Sequence, residues 1–261
     1  MIKQTIKKTF IYRIYFKSKT IFKIFYNRNF VKFKDDEKYS SQSLSKIFQS
    51  IYANKEWGDA KKLGYIQNDN IFFSGTGSYT SASSDYVNFI VNYIIDNKIN
   101  KVVDLGCGDF NIGKQIVEHL PDIKYIGVDI FQDIIDYNNK YFSNDNVSFM
   151  MVNTIEDLVP IGDLLLVREV FQHLSNESIS KIIALQFSSF KEILITECHP
   201  PKEYLKSYNL DKPDGPGYRG DHGSGVFLDQ YPFCLSTLEV FKTNHEYFGE
   251  IKTFKINKSL L

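Results

Sequence analysis

From residue 101 onward, apolar and polar positions fall into two alternating kinds of block. Short apolar-rich runs, KVVDLG, YIGVDI, VSFMMV, DLLLVRE and EILITEC, read as strands buried on both faces. Between them NIGKQIVEHL, FQDIIDYNNKYF and NESISKIIALQFSSF read as helices. Upstream, Tyr86, Phe89, Ile90, Tyr93 and Ile94 recur at three- and four-residue steps behind a serine cap, which predicts a helix over SSDYVNFIVNYIIDN; SLSKIFQSIYAN predicts a shorter one. Strands alternating with helices imply right-handed crossovers and a mostly parallel sheet with helices on both faces. Ligands of such sheets lie outside the carboxyl ends of the strands, where strand order reverses. Two further extended stretches, LSTLEVFKT and GEIKTFKIN, close the chain, and no internal repeat is present.

The segments that escape this alternation divide the chain. Residues 1–34 are basic and aromatic, with no acid before Asp35, and form a separate N-terminal segment. No apolar run there approaches the ~20 residues that span a bilayer, and no cleavage site follows a short apolar core. The pattern fits an amphipathic helix packed on the domain or a partner, or peripheral contact with the anionic face of the inner membrane. Residues 35–84 hold the short helix and a glycine- and serine-rich stretch that ends in SGTGSYTSASS, a candidate lid. Residues 85–261 form the main domain, with a glycine-rich insertion at 200–232 that would wall the acceptor site.

Composition narrows the partners. At 261 residues and 43% hydrophobic, the chain can bury one sizeable core. Lysine plus arginine and aspartate plus glutamate both number 31, so the balance gives no reason to expect nucleic acid. Cys107, Cys198 and Cys234 form neither a disulfide framework nor a metal pair and suit a reducing, cytoplasmic setting. His199 and His222, with Glu197 and Asp221, match no established ligand spacing, so no metal is expected.

The chemistry concentrates in VVDLGCGDFNIGKQI, residues 102–116. Gly106 and Gly108 let backbone approach a ligand closely, and the helix that follows offers unpaired amides. Gly106, Gly108 and Gly113 are spaced more widely than a dinucleotide fingerprint, and Asp104 sets a negative charge where a pyrophosphate would be unwelcome. A cationic ligand suits it, and Asp129, ending the second strand, can accept both hydroxyls of a ribose. Those two demands together describe S-adenosyl-L-methionine.

Residues 101–130 resemble the class I S-adenosylmethionine-dependent methyltransferases, whose first motif is the D-x-G-x-G turn and whose second strand ends in an acidic ribose ligand. The resemblance implies a Rossmann-like fold with a seven-stranded, mostly parallel sheet and an antiparallel C-terminal strand. It implies that Asp104, Gly106, Cys107 and Gly108 line the methionine portion, that Asp129 holds the ribose and that Ile130 packs on the adenine. Asn153, Thr154, Arg168 and Ser78 complete the expected cofactor set. REVFQHLS is similar to the acid-then-histidine pattern of small-molecule and sugar methyltransferases, and EWG, SGTGS, GYR and QYPF resemble a subgroup found beside bacterial surface-polysaccharide genes.

The implied acceptor is a small molecule or glycan precursor, methylated on a sugar hydroxyl or a phosphate-like group. His173 is the first candidate base, with Glu169 orienting it or acting instead; His173 equally fits a helix-face residue satisfied by a backbone carbonyl. Tyr218 and Arg219, with His199 and His222, are expected around the acceptor, though ordinary loop anchoring fits Tyr218 and Arg219 as well. Two other classes stand beside this reading. One is a non-catalytic subunit that keeps the cofactor fold and binds a partner of a glycan or membrane-associated assembly. The other is a nicotinamide-dependent oxidoreductase, which the glycine spacing disfavours.

Overall fold

The computed structural model describes residues 38–63, 72–79, 81–245 and 249–257. The expectations placed on residues 1–34 lie outside them. In chain order the elements are α1 (Leu44–Ala53), a one-turn α2 (Ala60–Leu63), α3 (Ser81–Asp96), β1 (Lys101–Leu105), α4 (Asn111–His119), β2 (Lys124–Asp129), α5 (Gln132–Phe142), β3 (Val147–Met151), β4 (Leu164–Arg168), α6 (Asn176–Gln186), β5 (Glu192–His199), β6 (Thr237–His245) and β7 (Gly249–Ile256). The seven strands form one sheet in the order β3-β2-β1-β4-β5-β7-β6. The first five run parallel, and β7 inserts antiparallel between β5 and β6. Among the described residues no helix is long and apolar enough to cross a membrane.

Near-continuous apolar strands are what burial on both faces requires. Val102, Leu164, Leu166 and Leu194 point to one face and pack with Tyr86, Val87, Ile90 and Ile94 of α3, Ile116 of α4, and Ile134 and Ile135 of α5. Val103, Leu105, Leu165, Val167, Ile193 and Ile195 point to the other, against Leu44 of α1 and Ile179 and Ile182 of α6. Each such fully buried aliphatic side chain contributes about 1.5–3 kcal/mol relative to exposure. Asp104 falls on the α3–α5 side of this alternation, where another aliphatic residue would fit. A carboxylate at that place belongs to the site rather than to the core.

The expected serine cap lies elsewhere in the structure. Helix α3 begins at Ser81, so Ser83 sits inside the first turn, and its hydroxyl donates to the Gly77 carbonyl at 2.7 Å instead of capping. The i,i+4 spacing of Glu169 and His173 is not helical either. A 3-10 turn, Phe171–His173, separates β4 from α6, and α6 is capped by Ser175.

Gly113 in α4 reports how closely this helix meets β2. A Cβ there would overlap the Tyr125 hydroxyl and the Phe110 ring. Gly113→Ala should therefore destabilise the protein by about 1–3 kcal/mol in urea unfolding, although alanine is the better helix former by ~1 kcal/mol. A stabilised variant would refute this packing.

Candidate active site

A cavity of about 560 Å³ opens at the carboxyl ends of β1, β2 and β4, where the strand order reverses. Its floor is the turn after β1. The Gly106 and Cys107 amides donate to the Val128 carbonyl at 2.8 and 3.1 Å, holding the turn against β2. Asp129 accepts from the Gly108 amide at 3.0 Å through Oδ2 and from the Phe131 amide at 3.1 Å through Oδ1. One carboxylate thus locks the glycine turn to the start of α5, and each oxygen retains a lone pair for a ligand. Gly106 has φ +80° and Gly108 φ +53°, and a Cβ on Gly108 would overlap the Ser74 hydroxyl. Glycine is required there by both conformation and space.

The segment 74–79 lies over this floor. The Ser74 amide donates to Asp109 Oδ2 at 3.0 Å, the Asp109 amide donates to Ser74 Oγ at 2.8 Å, and the Tyr79 hydroxyl donates to Asp109 Oδ2 at 3.0 Å. The Asn111 side-chain amide donates to the Ser78 carbonyl. From the opposite wall Arg168 Nη2 donates to the Gly77 carbonyl at 2.9 Å. Helix α1 adds Leu44, Phe48 and Tyr52 as a third wall; Tyr52 stacks on Phe131 at 5.3 Å and lies 3.0 Å from the Ser74 hydroxyl.

Asp104, Asp109 and Asp129 are all buried at the floor. Burial pushes the Asp104 carboxyl up to about 6, against the pull of the Tyr125 hydroxyl, which donates to it, and of Arg168. Burial likewise raises Asp109 and Asp129, although backbone amides oppose it. Three desolvated carboxylates in one cleft make a field that favours a cation.

The other end is built by the segment after β4 and by the β5–β6 insertion. Glu169 lies in the left-handed region, φ +55°, at a cost of about 1–2 kcal/mol for a residue bearing a Cβ, and its carboxylate pairs with Arg168 Nη1 at 2.9 Å. His173 lines the cavity with its ring 4.9 Å from that of Trp57. Burial, then Lys212 and Arg219, push His173 down to about 3, while the Pro216 and Gly217 backbone works the other way. Burial thus favours the neutral imidazole. Pro216, Gly217, Tyr218 and Asp221 of the insertion complete this wall.

The cavity gathers Ser78, Asp104, Gly106, Cys107, Gly108, Asp129, Ile130, Thr154, Arg168, Glu169, His173 and Tyr218 of the expected residues. Four others are placed elsewhere. Asn153 is outside the lining and donates to Glu156 Oε2 at 2.6 Å. Arg219 is fully buried behind the wall and donates to the Leu210 and Phe171 carbonyls and to Asn176 Oδ1, each at 2.9 Å. His199 stacks on Phe227 at 4.4 Å with Nε2 2.8 Å from the Val226 carbonyl oxygen, and His222 is buried away from the lining. Arg219 and His222 are parts of the insertion's own scaffold, and His199 ends β5 beneath it. Sequence reasoning missed Tyr52 and Asp109 and named Trp57, Ser74 and Gln172 only within the EWG, SGTGSYTSASS and REVFQHLS segments; Asp109 carried a local signal, its place directly after the glycine turn. Among the described residues no group of three His, Cys, Asp or Glu is arranged to hold a metal ion.

No protein-family model matches the chain. It is 22% identical over 197 residues to a malonyl-[acyl-carrier protein] O-methyltransferase of Acetivibrio thermocellus, covering 68% of this chain and 70% of that protein. Its fold is similar to that of magnesium protoporphyrin IX methyltransferase from Synechocystis PCC 6803, crystallised with bound S-adenosylmethionine, with a TM-score of 0.52 at 14% identity over 84% of this chain and 99% of that one. An O-methyltransferase family protein from Burkholderia thailandensis matches at 11% identity and a TM-score of 0.46 over 67% of this chain, which spans 55% of that protein's length. The chain thus has the Rossmann-like fold of the class I methyltransferases, with the sheet order and antiparallel seventh strand described above.

The raised carboxylates set a stability test with a definite sign. In the unfolded chain Asp104 ionises near its ordinary ~4, whereas in the fold it holds its proton up to about 6. Its contribution is full below pH ~4 and is lost as pH rises through about 6. Asp104→Asn should therefore raise the Tm of the ligand-free protein at pH 7.5 by about 5 °C and flatten its decline between pH 4 and 6. An unchanged or lower Tm in a folded variant would contradict this account.

Proposed function

We propose that the protein is an S-adenosylmethionine-dependent methyltransferase acting on a hydroxyl of a small molecule, a sugar or surface-polysaccharide precursor. The observation that carries the reading is the glycine turn ringed by Asp104, Asp109 and Asp129 beneath the 74–79 segment. Those residues fit the cofactor: a desolvated acidic floor for its cationic end, Asp129 for the ribose hydroxyls, and Ile130 with Thr154 beside them. When bound, the cofactor supplies an electrophilic methyl on sulfur, so the carbon–sulfur bond breaks as the new carbon–oxygen bond forms and a neutral thioether leaves.

What remains for the chain is position, dryness and a proton acceptor. Segment 74–79 and α1 exclude water from above. Trp57, Phe48 and Tyr218 offer aromatic faces to a ring-shaped acceptor. Glu169 takes the proton of the attacking hydroxyl, and the neutral His173 orients that hydroxyl by hydrogen bonding. Glu169 acting in place of His173 is the second of the two orders the sequence allowed, and burial that disfavours a charged imidazole supports it.

Calorimetric titration with S-adenosylmethionine, S-adenosylhomocysteine and NAD tests the reading. The first two should bind and NAD should not; Asp129→Ala should weaken both by roughly 10- to 100-fold, the loss of one charge-assisted acceptor. Affinity for the cation should also fall as pH drops through about 6, where Asp104 takes up a proton. A folded sample that binds neither methyl donor nor product sinks the proposal.

A further inference from the structure

Outside the cavity, three buried charged side chains converge on the backbone of one short turn. Glu197, at the end of β5, accepts from the Phe171 amide at 2.9 Å through Oε1 and from the Gln172 amide at 3.1 Å through Oε2. Arg219 Nη1 donates to the Phe171 carbonyl at 2.9 Å. Lys212 Nζ donates to the His173 carbonyl at 3.1 Å, and the Gly215 amide reaches the same oxygen at 2.9 Å. Their exposures are 2%, 0% and 3%, and none of the three lines the cavity, whereas Gln172, His173 and Leu174 of the segment they hold all do.

Burying two cations costs several kcal/mol per ion, burial pushes the Glu197 carboxyl up to about 8, and well-packed apolar residues commonly stabilise a core as well or better. Anchoring alone is a poor reason for this arrangement. Lys212 and Arg219 belong to the insertion, whereas Glu197 belongs to β5 and bonds the two amides that precede His173. Titratable groups that line the cavity with His173 include Glu169 on its own segment, Asp221 on the insertion and Glu56 beside Trp57 in the chain. Both cations act against protonation of His173, after burial itself.

We propose that Glu197, Arg219 and Lys212 are positioning residues that fix the Phe171–His173 turn through its own amides and carbonyls and so hold the His173 ring at the acceptor end of the cavity. The functional meaning rests on the transfer reading above: an uncharged ring can hydrogen-bond an acceptor hydroxyl without setting a second positive charge beside a cationic methyl donor. The test does not depend on that reading, since it is made on the ligand-free full chain.

Histidine-labelled protein is titrated by NMR from pH 8 to 4.5, and the His173 signal is identified among the five histidines by its loss in His173→Gln. In the wild type the His173 shift should stay constant to pH 5. Lys212→Met should raise its midpoint by at least one pH unit, and Lys212→Arg should restore the low value. If Lys212→Met does not fold, Lys212→Gln, which keeps a donor for the carbonyls and removes the charge, is read in its place. Amide exchange at Phe171 and Gln172 should quicken at least tenfold in Glu197→Gln, where a carboxamide NH2 group, a donor, replaces one accepting oxygen. A wild-type midpoint near 6.5, a midpoint unmoved in the charge-removing variant, or unchanged exchange in Glu197→Gln overturns the proposal. Binding of S-adenosylhomocysteine, measured separately, decides the transfer reading whichever way the titration falls.

Discussion

The structure turns on the desolvation of carboxylates at the ends of β1 and β2. Asp104, Asp109 and Asp129 are buried in one cleft, and burial alone makes each an expensive group to ionise. Backbone amides offset part of that cost for Asp129 and Asp109, and Tyr125 and Arg168 for Asp104. The geometry of the glycine turn follows from these contacts. Gly108 must be bare because its amide has to reach Asp129 while Ser74 passes over it. The same carboxylates that strain the empty protein make the cleft selective for a cation, so stability and recognition are set against each other at the same atoms.

The second consequence concerns the lid. Asp109 binds Ser74 through two backbone-to-side-chain hydrogen bonds and Tyr79 through a third, so the floor of the cavity and its cover share a carboxylate. Arg168 and Ser83 both donate to the Gly77 carbonyl, which joins the same cover to β4 and α3. Gly77 itself has no room for a side chain, since a Cβ there would overlap Glu169. Cofactor floor, lid and acceptor carboxylate are therefore one connected hydrogen-bonded unit. Arg168 is the link: it donates to the Gly77 carbonyl of the lid and pairs with Glu169, each at 2.9 Å.

What the sequence made legible was local. The strands are apolar runs of the right length, and Asp104 and Asp129 stand where strand meets turn, so fold class and cofactor floor follow from neighbours in the chain. Trp57 meets His173, Ser74 meets Asp109 and Arg219 meets Phe171 across long separations that carry no periodic signal. Arg219 and His222 misled for a related reason, and His199, at the end of β5, is covered by the same insertion. A polar residue in a glycine-rich loop reads as exposed and available, but this insertion folds back and buries its own polar groups, with Asn209 donating to three carbonyls and Arg219 to two. Asn153 misled differently: its amide turns along the chain to Glu156, leaving Thr154 to face the cavity.

The division of labour between the two ends follows from how each is built. The cofactor end is made by the first half of the sheet, where strand ends and one glycine turn leave few ways to place a ligand. The acceptor end is made by an insertion with no strand of its own, held by buried charges bonded to carbonyls rather than by sheet hydrogen bonds. Such a wall is tied on largely by side chains: Asp211 and Asp214 accept from the Asn176 and Ser175 amides at the start of α6, and Arg219 and Lys212 donate to the Phe171 and His173 carbonyls. The sheet therefore defines what is bound at one end and constrains little of what enters at the other. The insertion and Trp57 line the end of the cavity away from the glycine turn, while the Phe171–His173 turn is held from behind the lining by Glu197, Arg219 and Lys212.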